Sequence, residues 1–321
     1  MLLAALAVVL VLQPPAPPPA PTTPPEAPKA PAQPSLFEDD ACVLVSEGHQ
    51  FVEGPCWVPT AEGGYFLFCE RDQKGGTVWK WTGEGKPEVW RRPSGQAIGT
   101  AVDAKRAIYQ AESDARRITR VPVNADGTPG EAVVVADTFE GKRLNATNDL
   151  VVKSDGSVYF TDPTFFTDAK ALELGFLAVF RVSPEGVVTP LDKSLQAPNG
   201  LAFSPDEKRL YVNDFRANTV HVFDVRTDGT LENGRVFATL TSDNPRARGR
   251  ADGLRCDTVG NVYTTGLMGI TVFSPAGEKV GELTVPGASN LAFGGKDGRQ
   301  VLITAGRSVW TIKAVNKGAG R

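Results

Sequence analysis

Glu53, Asn148, Asn199 and Asp252 each carry a side-chain oxygen, and each stands directly before glycine or a small polar residue: Glu53-Gly54, Asn148-Asp149, Asn199-Gly200, Asp252-Gly253. Two carboxylates and two amides, all presenting oxygen, suit a hard divalent cation such as calcium. Taken singly, each has a plainer reading. Asn-Gly and Asp-Gly are common turn pairs, Asn148-Asp149 could cap a strand, and a lone Glu53 would be a solvated carboxylate. The four gain weight together, because each opens a segment of the same design and so holds the same phase of a repeat. Glycine at the following position lets the backbone turn sharply and approach its neighbours closely.

The elements that must position these residues are short strands. From Asn145 to Pro163 the chain reads NATNDLVVKSDGSVYFTDP. A polar start is followed by the apolar run Leu150-Val151-Val152, an Asp155-Gly156 turn and the run Val158-Tyr159-Phe160. Val and Tyr favour pleated strands, and Asp-Gly between two such runs signals a hairpin. Related segments begin near residues 53, 98, 148, 199, 252 and 290, with further strand pairs such as Val179–Val182 and Val220–Phe223 between them. A repeat of roughly 40 to 50 residues with about four strands per unit is the signature of a propeller blade. Six units predict an all-β, six-bladed β-propeller. Its innermost strands line the central channel, so equivalent strand starts converge on one end of the axis. Four of the six starts carry oxygen; the second breaks the pattern with Ile98-Gly99.

Composition excludes several alternatives. A formal net charge of −3 gives no reason to expect nucleic acid as a partner. Only two histidines are present, His49 and His221, a scarcity that argues against a multi-histidine zinc centre and leaves a Ser-His-Asp scheme few options. Residues 1–13 begin with an apolar run too short to span a bilayer comfortably, and read as an export signal or N-terminal anchor. Residues 14–35 are proline-rich and read as a stiff spacer. The folded unit is expected over 36–321, exported to the periplasm or secreted. Cys56 and Cys69 flank a turn. If Val58 pairs with Leu67 the two cysteines face each other, either bridged or as two small buried hydrophobes. Cys42 and Cys256 read as buried thiols.

The motifs also resemble the gluconolactonase, regucalcin (senescence marker protein) and luciferin-regenerating enzyme family. The matching stretches are EGPCW from Glu53, GKRLNATNDLVVKSDGSVYFTDP from Gly141, LGF from Leu174, PNGLAFSPDEKRLYV from Pro198, NGRVFA from Asn233, ADGLRCDTVGNVYTTG from Ala251 and AFGG from Ala292. The resemblance implies a six-bladed propeller with one divalent metal ion at the channel mouth, Ca2+ first, with Zn2+, Mg2+ or Mn2+ as alternatives. It implies Glu53, Asn199 and Asp252 as metal ligands, and Asn148 on the substrate or completing the metal shell. Asp252 would be the catalytic acid-base residue. The implied reaction is hydrolysis of a sugar lactone by a monomer with no protein partner. A bound cation would polarise the carbonyl while Asp252 assists attack by water.

Some positions depart from the family pattern: Glu70 stands where relatives have Asp, Ile98 where they have Asn, and Ser113 where a histidine is common. Arg143 and Asn145 are candidates for contact with sugar hydroxyls. Arg246, Arg248 and Arg250, just before Asp252, read as a solvated loop or as a lid that steers an anion. Two other functions fit the same residues. One is a non-catalytic envelope propeller that binds a sugar or a partner. The other is a metal-dependent esterase or phosphotriesterase of the same fold.

Overall fold

The computed structural model describes residues 35–38, 41–242, 244–245 and 247–320. The expected export segment at 1–13 and nearly all of the spacer at 14–35 lie outside them. Six four-stranded antiparallel sheets follow one another along the chain as the blades of a propeller. Their inner strands are Phe51–Thr60, Ala97–Val102, Leu150–Val152, Pro198–Phe203, Leu254–Cys256 and Ala288–Gly294, for blades 1 to 6. Blade 6 closes the ring, because its outermost strand, Val43–Glu47, comes from before blade 1 and pairs with Ser308–Lys313.

The hairpin read from the sequence in blade 3 is present, with Leu150 opposite Phe160 and Val152 opposite Val158. Its connection is a three-residue loop between Lys153 and Ser157, whose backbones hydrogen-bond, with Gly156 in the left-handed region at φ +89°. That is the loop class that turns and then needs a left-handed residue, which explains glycine after Asp155. The pairs Val179–Val182 and Val220–Phe223 fall in the third strands of blades 3 and 4, Ala178–Val182 and Thr219–Val225.

Apolar burial is distributed between blades. The buried hydrophobic residues form six clusters, and each joins two neighbouring blades. Tyr159 and Val179 of blade 3 pack with Phe203 and Val212 of blade 4, for example, and Phe66 and Phe68 of blade 1 with Leu302 of blade 6. Burying one such side chain is worth about 1.5–3 kcal/mol, so each interface is held by several. The rigid ring that results fixes the inner-strand starts relative to one another.

The cysteine register differs from expectation. Val58 pairs with Tyr65, and Cys56 lies opposite Leu67, while Cys69 lies opposite Glu53. A tight turn at Ala61-Glu62 and a bulge between Glu53 and Cys56 set this pairing. All four cysteines are free; Cys42 is only partly buried. Burial pushes the Cys56 thiol up to about 11 and the Cys69 thiol well up, so both stay protonated and unreactive near neutral pH.

Candidate functional site

At one end the inner strands approach so closely that four of the six units carry glycine there. A Cβ on Gly54 would lie 2.8 Å from the Gly99 Cα, and one on Gly99 would lie 2.9 Å from the Asp149 Cα. A Cβ on Gly200 would meet the Gly253 Cα at 2.7 Å. Each of these glycines follows the polar or equivalent residue of its unit, so Glu53, Ile98, Asn148, Asn199, Asp252 and Ser289 form one tier. Directly behind it lies a second tier of Gly54, Gly99, Asp149, Gly200, Gly253 and Asn290.

Hydrogen bonds between blades lock the two tiers. The Asn213 amide donates to the carbonyl of Asp252 at 2.7 Å, and Thr265 Oγ1 donates to the carbonyl of Ser289 at 2.6 Å. Ser289 Oγ donates to the carbonyl of Val52 at 2.9 Å. Three carboxylates at the ends of second strands clamp the segments that lead into the tier. Asp162 accepts from the backbone N–H groups of Asn145 and Ala146, and Asp214 from those of Gln196 and Ala197. Glu70 accepts from Gln50 N–H in the same way, and from the indole of Trp79. Its remaining partner is His49, whose other nitrogen meets Ser46 Oγ at 2.9 Å. This Ser46–His49–Glu70 chain has the connectivity of a nucleophile relay, one of the few options that two histidines leave. His49 is nonetheless packed edge-on against Phe68 and Trp79, and Glu70 is spent on fixing the approach to Glu53.

Glu53, Asn199 and Asp252 meet at this end. Asp252 feels the charges of Glu53 and Asp149 and faces the Asn199 side-chain amide. Burial pushes the Glu53 carboxyl up to about 7, and the negative Asp149 adds to that, against hydrogen bonds from Gly54 N–H and the Asn290 amide. Burial likewise lifts Asp252 well above the usual carboxylate range, reinforced by Glu53 and Asp149. Asn148 sits in the same tier, partly exposed, its N–H bonded to the Thr161 carbonyl.

The other two predicted substrate residues are placed differently. Asn145 is buried, and its amide donates to the carbonyls of Phe176 and Asp162. Arg143 is exposed and donates to the Ala115 carbonyl. Of the arginine run, Arg248 and Arg250 are exposed and Arg246 lies outside the described residues.

Three residues of the site escaped the sequence reading: Asp149, Asn290 and Arg255. Asn290 Nδ2 donates to Glu53 at 3.0 Å and to Asp149 at 3.2 Å. The Arg255 guanidinium lies 3.4 Å from Asp149 and also donates to the carbonyls of Leu254 and Pro55. The available signal was that the second tier holds glycine in four units and a polar residue in only two.

The donor set fits a divalent cation. Two buried carboxylates and an amide, all oxygen donors, converge where like charges crowd. The buried cation Arg255 is turned toward Asp149. A divalent ion held by Glu53, Asn199 and Asp252 would offset the burial and the mutual repulsion that raise the Glu53 and Asp252 carboxyls.

The chain is similar to known proteins over most of its length. The profile describing the SMP-30/Gluconolactonase/LRE-like region matches residues 51–307. A gluconolactonase of Zymomonas mobilis is 31% identical over 294 residues, covering 84% of this chain and 80% of that protein. The solved gluconolactonase XC5397 of Xanthomonas campestris superposes with a TM-score of 0.75 at 31% identity, over 87% of this chain and 91% of its own. The calcium-binding protein regucalcin of Agrobacterium tumefaciens shares the fold, with a TM-score of 0.68 at 20% identity over 88% of this chain and 95% of its own.

Proposed function

This chain belongs to the SMP-30/Gluconolactonase/LRE-like family, and from that premise we propose that it is a lactone-hydrolysing enzyme whose reaction is centred on Glu53, Asn199 and Asp252. The observation that carries this reading is the convergence of those three residues at one end of the propeller, in a chain matched to lactonases over most of its length.

Glu53, Asn199 and Asp252 would hold one divalent cation, calcium first by its preference for oxygen donors, with Asn148 beside it. When bound, that cation supplies polarisation of the lactone carbonyl and stabilises the oxyanion formed on attack. Asp252 orients the attacking water and accepts its proton; with the cation bound its carboxylate is held ionised, a weak base made effective by its position. As the ring C–O bond breaks, the same proton passes to the departing ring oxygen, giving a hydroxy acid. Asn290 and Gly54 N–H fix Glu53 from behind, and Asn213 fixes the Asp252 backbone. A sugar lactone is the first substrate to try. The apolar segment and proline-rich spacer support export, with the enzyme working outside the cytoplasm.

The test is acid release from a sugar δ-lactone by the purified protein, before and after treatment with a chelator. Turnover that chelation abolishes and calcium restores supports the proposal. Turnover untouched by exhaustive chelation would overturn the metal role, and no turnover of any lactone would overturn the enzymatic one.

A further inference from the structure

Around the mouth, close to the oxygen tier, stands a run of aromatic rings contributed by three blades. Phe51 lies two residues before Glu53 on an extended strand, so both side chains share one face. Its ring centroid is 6.4 Å from that of Phe166, in the loop of blade 3 that follows Asp162. Phe166 neighbours Phe165 at 6.5 Å, and Phe165 meets Phe215 of blade 4 at 5.1 Å. Phe215 N–H bonds to the Ala197 carbonyl, two residues before Asn199. Blades 1 and 4 are opposite in a six-membered ring, so the four phenylalanines form an arch from Glu53 to Asn199. The arch passes the side where blade 2 presents Ile98 in place of an oxygen-bearing residue.

Phe166 is built to stay in this position despite being 60% exposed. Its backbone is left-handed at φ +60°, which a bulky side chain rarely adopts. The Arg71 guanidinium lies 4.2 Å from its ring centre while hydrogen-bonding Asp114, so one face of the ring is held by a fixed cation. An exposed aromatic ring in a strained loop beside a catalytic tier fits a contact with substrate better than it fits packing.

We infer, resting on the lactonase reading above, that this arch makes the enzyme selective for lactones bearing an alkyl or aryl substituent. A polyhydroxy ring placed against phenylalanines and Ile98 gains no hydrogen bond from those side chains, whereas an apolar substituent buries apolar surface against them. Phe166 and Phe165 are specificity-determining residues that touch the substituent, not the reacting atoms.

The experiment compares kcat/KM for an alkyl-substituted δ-lactone and a polyhydroxy δ-lactone, in the wild-type enzyme and in Phe166→Ser and Phe166→Leu. The wild type is expected to favour the alkyl lactone at least tenfold. Phe166→Ser should reduce that ratio about tenfold, mainly through KM, and Phe166→Leu should restore most of it. A wild-type preference for the polyhydroxy lactone, or a ratio unmoved by Phe166→Ser, overturns the inference. Calorimetric binding of the corresponding alkyl δ-lactam, which is not hydrolysed, separates this from failure of the lactonase reading. If no lactone is turned over, lactam binding weakened in Phe166→Ser still upholds the arch, and binding that is absent or unaffected overturns it.

Discussion

Asn290 donates from Nδ2 to Asp149 at 3.2 Å, a hydrogen bond that crosses the propeller axis because the two residues come from opposite blades, 6 and 3. The same nitrogen holds Glu53 at 3.0 Å. One amide thus separates two buried carboxylates and closes the channel behind the candidate metal site. Asn290→Ala leaves both acceptors without this donor, which for buried groups costs about 1–3 kcal/mol. Urea unfolding should show that loss. Calcium titration by calorimetry should show affinity weakened about tenfold or more, as when the partner of a ligand is removed. Unchanged affinity would mean that Glu53 needs no support from behind.

Asp252→Asn tests the base directly. The amide keeps the size and the facing Asn199 but cannot accept a proton. Turnover should fall by about 10²–10⁴, the usual worth of a positioned acid-base group, while far-UV circular dichroism stays that of the wild type. Residual lactonase activity near the wild-type level would remove Asp252 from the mechanism.

Removal of the cation should also be visible in stability. An ion bound only by the folded chain stabilises it in proportion to occupancy, by about 2.7 kcal/mol at a hundred times its dissociation constant. Melting in excess calcium should therefore occur above melting in chelator. Glu53→Gln should shrink the difference, since it removes one of the two carboxylates proposed as ligands. Equal shrinkage in a variant of the exposed Glu185 would show that the effect is not local.

The fold was legible because its signal is repetitive. The units share a polar start, which only the second lacks, then a short strand, a turn and a second strand, and six repetitions compensate for the ambiguity of any one. Glu53, Asn199 and Asp252 were legible for the same reason, since they differ from the turn residues they resemble only by recurring in phase. Asp149, Asn290 and Arg255 were not. Their role depends on which side chains reach across the axis, and that depends on inter-blade distances that no single strand encodes. The Cys56 register failed on one local feature, the tight turn at Ala61-Glu62, which pairs Thr60 with Gly63 and so sets Cys56 opposite Leu67, where a longer turn through Gly64 would have set it opposite Cys69. The aromatic arch draws on Phe51, Phe166 and Phe215, residues far apart in the chain and joined only through loop conformation.

Asp162 supplies a pH dependence away from the metal ligands. Burial pushes its carboxyl up to about 7 against two backbone N–H bonds, from an ordinary value of 3.8. Between those values the folded chain holds a proton that the unfolded chain has released. The stabilising contribution is therefore fully present below about 3.8 and lost as pH rises through about 7, at roughly 1.4 kcal/mol per pH unit within the window. Urea unfolding from pH 4 to pH 8 should show wild-type stability falling more steeply, or rising less, than that of Asp162→Asn. Parallel profiles for the two proteins would assign the dependence to other groups.

Gly200→Ala separates packing of the tiers from general stability. The added Cβ would lie 2.2 Å from the Asp252 carbonyl oxygen and 2.7 Å from both the Gly253 Cα and the Leu254 nitrogen. All three are backbone atoms, so no side chain can swing aside, and the strand carrying Asp252 must move. Overpacking of this kind costs about 1–3 kcal/mol, and a displacement near 1 Å at a reacting group costs on the order of 10² in rate. Gly156→Ala is the matched comparison. Its Cβ meets open space, but its φ of +89° is strained for alanine, so it should lose stability with little effect on turnover. Measured together, the two variants should lose comparable stability while only Gly200→Ala loses activity. Equal retention of activity would mean that the Asp252 backbone tolerates displacement and that the glycine tier serves folding alone.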